Sequence, residues 1–103
     1  MSPISSKELT ERLHKGNGLN LLDVREEIEY HTFNIGGKNI PLPKLKDNIS
    51  KLGYNKTDEI IVICKIGLRS ETATELLIEN GYENARNLTG GLIGLQKLKQ
   101  QDF

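Results

Sequence analysis

Glu59-Ile60-Ile61-Val62-Ile63-Cys64-Lys65-Ile66-Gly67-Leu68-Arg69-Ser70 is the stretch that decides the fold. Its first half is apolar and β-branched with no polar alternation, the pattern of a strand covered on both faces of a parallel sheet. Gly67 interrupts the pattern. From residue 70 to residue 80 Ala73, Leu76 and Leu77 face one way while Glu71, Glu75 and Glu79 face another, and Gly81 follows, which predicts a helix. The stretch therefore reads as a central strand, a tight loop and a helix.

Working outward, the segments on either side repeat that alternation. Ser5 with Glu8 forms a capping box and Ile4 with Leu9 takes the two positions of a hydrophobic staple, so a helix starts there, with Leu9 and Leu13 on one face and Gly16 as its stop. After a Gly-Asn-Gly turn at 16–18, residues 19–24 read as a short buried strand ending near Asp23, with Arg25 at its carboxyl end. Residues 26–31 suit one or two helical turns, and 34–42 a glycine-rich crossing with an extended piece before Pro41. Leu42, Leu45, Ile49 and Leu52 form a helical stripe that Gly53 terminates. Residues 85–88 suit a last short strand, and Gly90-Gly91 turns into a closing helix carrying Leu92, Leu95 and Leu98. Strands alternating with helices predict an α/β fold with a mainly parallel central sheet covered by helices on both faces. In such sheets ligands bind beyond the carboxyl ends of the strands, where Asp23, Arg25 and Cys64 all fall.

The 103 residues suit one domain spanning 1–103. Fourteen Lys plus Arg balance fourteen Asp plus Glu, so no global field recruits nucleic acid or an anionic membrane. The run ending at Cys64 is far shorter than the roughly 20 apolar residues a spanning helix needs. The first eight residues do not read as a secretory signal, and the expected location is the cytoplasm. A single cysteine excludes an internal disulfide and a multi-thiolate zinc site. His14 and His31 have no metal-ligand or base spacing to Cys64 and read as surface residues, so neither a metal nor a cofactor is expected.

A lone cysteine commonly packs as a small hydrophobe, but the setting of Cys64 is that of a reactive thiol. It ends the most buried strand and precedes a helix start, whose unpaired backbone N–H groups and partial positive charge favour an anion. Lys65 and Arg69 add two cations, and neighbours of this kind lower a cysteine pKa. Gly67 supplies a positive φ or a close backbone approach. Asp23 and Arg25 are read as site-shaping residues, a turn cap and an ion pair that set the loops around the thiol.

Those residues also carry a family resemblance. Cys64-Lys65-Ile66-Gly67-Leu68-Arg69-Ser70 resembles the active-site loop of single-domain rhodanese-like sulfurtransferases, in which cysteine, two residues, glycine, one residue, arginine and serine recur. Leu21-Leu22-Asp23-Val24-Arg25-Glu26 is similar to the family's first-strand motif, Ile40-Pro41-Leu42 to its mid-chain segment, and Asn87-Leu88-Thr89-Gly90-Gly91 to its closing Gly-Gly turn. The likeness runs roughly from residue 19 to residue 98. It implies that Cys64 attacks the outer sulfur of a donor such as thiosulfate, becomes a persulfide, and passes the sulfur to a thiophilic acceptor. It further implies that Lys65, Ile66, Gly67, Leu68, Arg69 and Ser70 form the substrate-binding loop, with the backbone N–H groups from Ile66 to Ser70 holding the persulfide's terminal sulfur. Lys65 and Arg69 would attract a small anionic donor, and Ser70 would donate its hydroxyl or cap the helix. With no second cysteine the acceptor is another molecule.

The chain departs from the family in two places: Asn34 stands at the usual histidine position, His31 not aligning with it, and no tryptophan follows the Gly-Gly turn. Two other readings compete. A protein-docking persulfide carrier would work with a sulfur-carrier protein, a cysteine desulfurase or an E1-like adenylyltransferase, and the style of residues 36–41 resembles modules joined to such adenylyltransferases. A phosphatase or arsenate reductase of related fold would need a longer loop, since four residues separate Cys64 from Arg69 and those loops place one more there. The shorter ring of donors suits a single sulfur rather than a tetrahedral oxyanion.

Overall fold

The computed structural model describes residues 2–16 and 18–101. Asn17, the middle of the expected Gly-Asn-Gly turn, lies outside them. The order of elements is α1 (Ser6–His14), β1 (Leu21–Asp23), α2 (Glu27–Thr32), β2 (Lys38–Asn39), α3 (Leu42–Asn48) running into a 3-10 turn (Ile49–Lys51), β3 (Glu59–Ile63), α4 (Leu68–Glu79), β4 (Asn84–Asn87) and α5 (Gly91–Gln101).

The four strands form one parallel sheet in the order β2-β1-β3-β4. β3 lies inside it because Ile60 to Ile63 are buried on both sides, and truncating one such isoleucine to alanine would cost about 2–5 kcal/mol. Each face has its own core. Leu22, Val24, Ile60, Val62 and Ala85 pack beneath α3 and α4 with Leu45, Ala73 and Leu77. Leu21, Ile61, Ile63 and Leu88 pack beneath α1 and α5 with Leu9, Leu92 and Leu95. Beyond β4 the chain pairs again at a single bridge, Ile4 with Leu88.

α1 begins where expected, with the Ser5 hydroxyl accepting from the Glu8 amide at 3.0 Å. Among the described contacts the Glu8 carboxylate does not return to the cap; it reaches Arg86 at 3.0 Å, because Arg86 on β4 and Arg12 on α1 gather Glu8 and Glu59 into one charged cluster. α4 starts at Leu68, two residues before the predicted boundary, since Gly67 at φ 100° already turns the chain into the helix. The last strand starts at Asn84 and hands Leu88 to the bridge with Ile4.

The direction of chain travel sets the site. From β1 the chain crosses to β2 on one side and returns to place β3 on the other, so the topology reverses between β1 and β3, and a crevice opens beyond their carboxyl ends. None of the helices among the described residues is long and apolar enough to cross a membrane.

Candidate active site

β3 delivers Cys64 directly into that crevice. The residue is fully buried, and its Sγ sits inside the turn between β3 and α4. The Gly67 amide donates to Sγ at 3.1 Å and the Ser70 amide at 3.3 Å, while the Ser70 hydroxyl lies 3.2 Å away. These donors converge because Gly67 occupies the left-handed region and the first turn of α4 has no earlier helical carbonyl to take its N–H groups. Burial pushes the thiol pKa up; hydrogen bonds from the Ser70 hydroxyl and from the Ser70, Gly67 and Ile66 amides outweigh it, so the thiol lies below its ordinary value.

The other side of the loop is held by α5. The Leu92 amide donates to the Cys64 carbonyl and the Ile93 amide to the Lys65 carbonyl, each at 3.0 Å. Such close backbone contact requires Gly91: a Cβ there would stand 2.7 Å from the Cys64 carbonyl oxygen and closer still to that of Lys65. The Gly-Gly turn is thus the buttress of the cysteine loop.

The loop's two cations are placed differently. The Arg69 guanidinium forks onto the Glu29 carboxylate of α2 at 2.7 and 3.0 Å rather than standing free above the sulfur, although the Cys64 charge still raises its pKa behind the stronger effect of Glu29. The Arg69 hydrogen bond holds the Glu29 carboxyl at about 2, against the cost of its desolvation. Lys65 is exposed and lines a cavity of about 350 Å³ together with Arg25, Ile28, Glu29, Phe33 and Ile93. Ile66 and Leu68 point outward, 53% and 66% exposed. Ser70 is buried inside the first turn of α4; it does not cap the helix, whose N-cap is Gly67.

Asp23 and Arg25 form a buried pair beside the site. Asp23 accepts from the Arg25 amide at 3.0 Å and from the guanidinium at 2.8 Å, and Arg25 then donates to the carbonyls of Phe33 at 2.7 Å and Glu29 at 3.4 Å. The pair ties the end of α2, which buries no residue of its own, to the end of β1. His31 is exposed on α2, and Asn34 closes its own turn by accepting from the Gly36 amide at 2.9 Å.

Two residues enter the site that the sequence reading left unassigned. Glu29 was legible only as a carboxylate within a short helix, and its partner lies forty positions away. Asn87 accepts the Ser70 hydroxyl at its Oδ1 and donates from Nδ2 to the Gly67 carbonyl at 3.3 Å. The available signal was its place at the carboxyl end of the strand next to β3.

With this geometry in view, the comparisons are consistent with one another. The chain is 37% identical over 81 residues to thiosulfate sulfurtransferase PspE of Escherichia coli, covering 76% of this chain and 77% of that protein. It is 32% identical over 106 residues to the probable adenylyltransferase/sulfurtransferase MoeZ of Mycobacterium tuberculosis; 99% of this chain is covered but only 26% of MoeZ, so the chain spans about a quarter of that relative. The crystal structure of a rhodanese-like domain protein from Staphylococcus aureus superposes with a TM-score of 0.81 at 29% identity, covering 92% of this chain and 91% of that one. The family model of the rhodanese-like domain matches residues 5–97, from the cap of α1 to the middle of α5, and by that match the chain belongs to the rhodanese-like domain family.

Proposed function

We propose that the protein is a sulfurtransferase in which the Cys64 thiolate takes the outer sulfur of a donor such as thiosulfate and passes it to a thiophilic acceptor. The observation that supports this most is the convergence of two backbone N–H groups and one hydroxyl on Sγ at the end of β3. In the first step the Cys64 Sγ attacks the sulfane sulfur, the S–S bond of thiosulfate breaks, and sulfite leaves with the bonding electron pair. The amides at the start of α4 then face the terminal sulfur of the persulfide, and Lys65, exposed beside the cavity, attracts the anionic donor. In the second step the acceptor attacks the terminal sulfur and the Cys64 thiolate departs. Thiocyanate formation from thiosulfate and cyanide is the test. Wild type should turn over and Cys64→Ser should not; turnover by Cys64→Ser would remove the thiol from the reaction.

A second reading, a persulfide carrier that docks on another protein, draws on a specific feature. Ile28, Phe33, Ile66 and Leu68, the exposed large apolar residues among those described, all border the cysteine loop or the cavity next to it. A carrier-protein acceptor, with loading by a cysteine desulfurase or an adenylyltransferase partner, would bury them. Ile28→Asp separates the readings: transfer to a carrier protein should fall several-fold while transfer to cyanide is retained, and equal effects on both acceptors would count against docking.

A further inference from the structure

Ser70 has one hydroxyl proton and two neighbours positioned to receive it. Its Oγ lies 3.2 Å from the Cys64 Sγ and also contacts the Asn87 Oδ1. The amide of Asn87 cannot turn over to offer a proton instead, because its Nδ2 faces the Gly67 carbonyl, which accepts and cannot donate. Sulfur and Asn87 therefore compete for a single proton.

We propose that Asn87 is a positioning residue that sets the direction of the Ser70 hydroxyl and so couples the charge on Cys64 to a two-state hydrogen-bond chain. In the neutral form the Cys64 S–H donates to Ser70 Oγ and the Ser70 O–H donates to Asn87 Oδ1, and every donor is used. When the thiol proton leaves to solvent, the hydroxyl turns about its Cβ–Oγ bond and gives its proton to the anionic sulfur, leaving Asn87 Oδ1 without that donor. Asn87 thereby opposes ionisation through Ser70, and its Nδ2 bond to the Gly67 carbonyl keeps Oδ1 turned toward that hydroxyl. This inference rests on Cys64 being the working thiol.

The charged groups around the sulfur are the same in the wild type and in the Asn87→Ala and Ser70→Ala variants, and only Asn87→Asp adds one. They are Lys65 and Arg69 of the loop, Glu29 of α2 paired with Arg69, and the Asp23–Arg25 pair beyond β1; β4 and α5 present Asn87, Leu88, Leu92 and Ile93 there, none of which titrates. A shift with Asn87→Ala therefore reports on the hydroxyl, and with Asn87→Asp the part that disappears in Ser70→Ala does.

The experiment is a pH titration of thiolate absorbance in the full chain, with Cys64→Ser subtracted to remove tyrosine, and it requires no sulfur donor. Asn87→Ala should move the half-ionisation point to lower pH, raising the thiolate fraction below that point about three- to tenfold, the worth of one neutral hydrogen bond. In a Ser70→Ala background the same substitution should leave the titration unchanged. Asn87→Asp keeps the size of the side chain and provides a second reading should the alanine variant fold poorly: it should move the point to higher pH, and by less once Ser70 is alanine. A rise in the point with Asn87→Ala, no movement, or equal movement with and without the Ser70 hydroxyl would overturn the proposal, the last showing that Asn87 acts through Gly67 alone. A thiol that titrates as expected yet takes no sulfur would instead count against the sulfurtransferase reading and leave this one standing.

Discussion

Gly90 and Gly91 are adjacent, both have positive φ, and they should respond very differently to alanine. At Gly90, with φ 80°, an added Cβ would meet only the Gly94 Cα at 3.6 Å, an ordinary contact. The cost there is that of an alanine in the left-handed region, about 1–2 kcal/mol. At Gly91, with φ 62°, the Cβ would stand 2.5 Å from the Lys65 carbonyl carbon and 2.7 Å from the Cys64 oxygen, both backbone atoms that cannot swing aside. The start of α5 has to lift, and the Leu92 and Ile93 amide bonds to the Cys64 and Lys65 carbonyls are lost or stretched. At about 1 kcal/mol for each bond on top of the backbone strain, the total is about 3–4 kcal/mol, a large part of the roughly 5–15 kcal/mol available to a domain. Urea unfolding measures both variants directly. Gly91→Ala should lower the midpoint about two to three times as far as Gly90→Ala, and what remains folded should show a slowed thiol because the buttress of its loop has moved. Equal midpoints would refute the claim that the closing turn is fitted against the cysteine loop.

Further outcomes follow from the charged residues. The Glu29 carboxyl, held near 2 against an ordinary value of 4.5, contributes stability that is fully present above the ordinary value and is lost as pH falls through about 2; because both partners are partly exposed, the pair is worth about 1 kcal/mol rather than the full shift. Glu29→Gln should therefore destabilise by about that amount at neutral pH and by almost nothing near pH 2, read by urea unfolding at each pH; a gap that persists in acid would contradict the assignment. Arg69→Ala and Glu29→Gln together should cost about as much as either alone, and strict additivity would show that the fork carries no coupling. Asp23→Ala leaves Arg25 buried without its anion and should cost about 3–5 kcal/mol in thermal or urea unfolding; a loss under about 1 kcal/mol would mean that the pair does not hold α2 to β1.

What the sequence disclosed and what it withheld divide along a physical line. β3 could be read because burial on both faces removes the alternation of a half-exposed strand, and α4 because Ala73 and Leu77 recur at helical spacing against glutamates. Cys64, Gly67 and Ser70 lie within seven positions, so their convergence is a local property of one turn. Contacts that depend on distant partners were not legible. Arg69 read as one of two cations in the loop, but its carboxylate partner Glu29 comes from another helix; Glu8 read as one half of a capping box, but Arg86 draws it away. Asn87 was visible as part of the closing motif, yet its effect on the thiol exists only once β4 lies beside β3 and brings it against Ser70. The early start of α4 is local by contrast: the left-handed φ of Gly67 begins the helix before its apolar stripe does.

The central claim is that Cys64 carries sulfur as a persulfide, and intact-protein mass after incubation with thiosulfate tests it most directly. The account predicts a gain of one sulfur atom on the wild-type chain, none on Cys64→Ser, and return to the original mass when cyanide is added. A wild-type mass that stays unchanged with thiosulfate and with a cysteine desulfurase as donor, or a sulfur gained equally by Cys64→Ser, would contradict it.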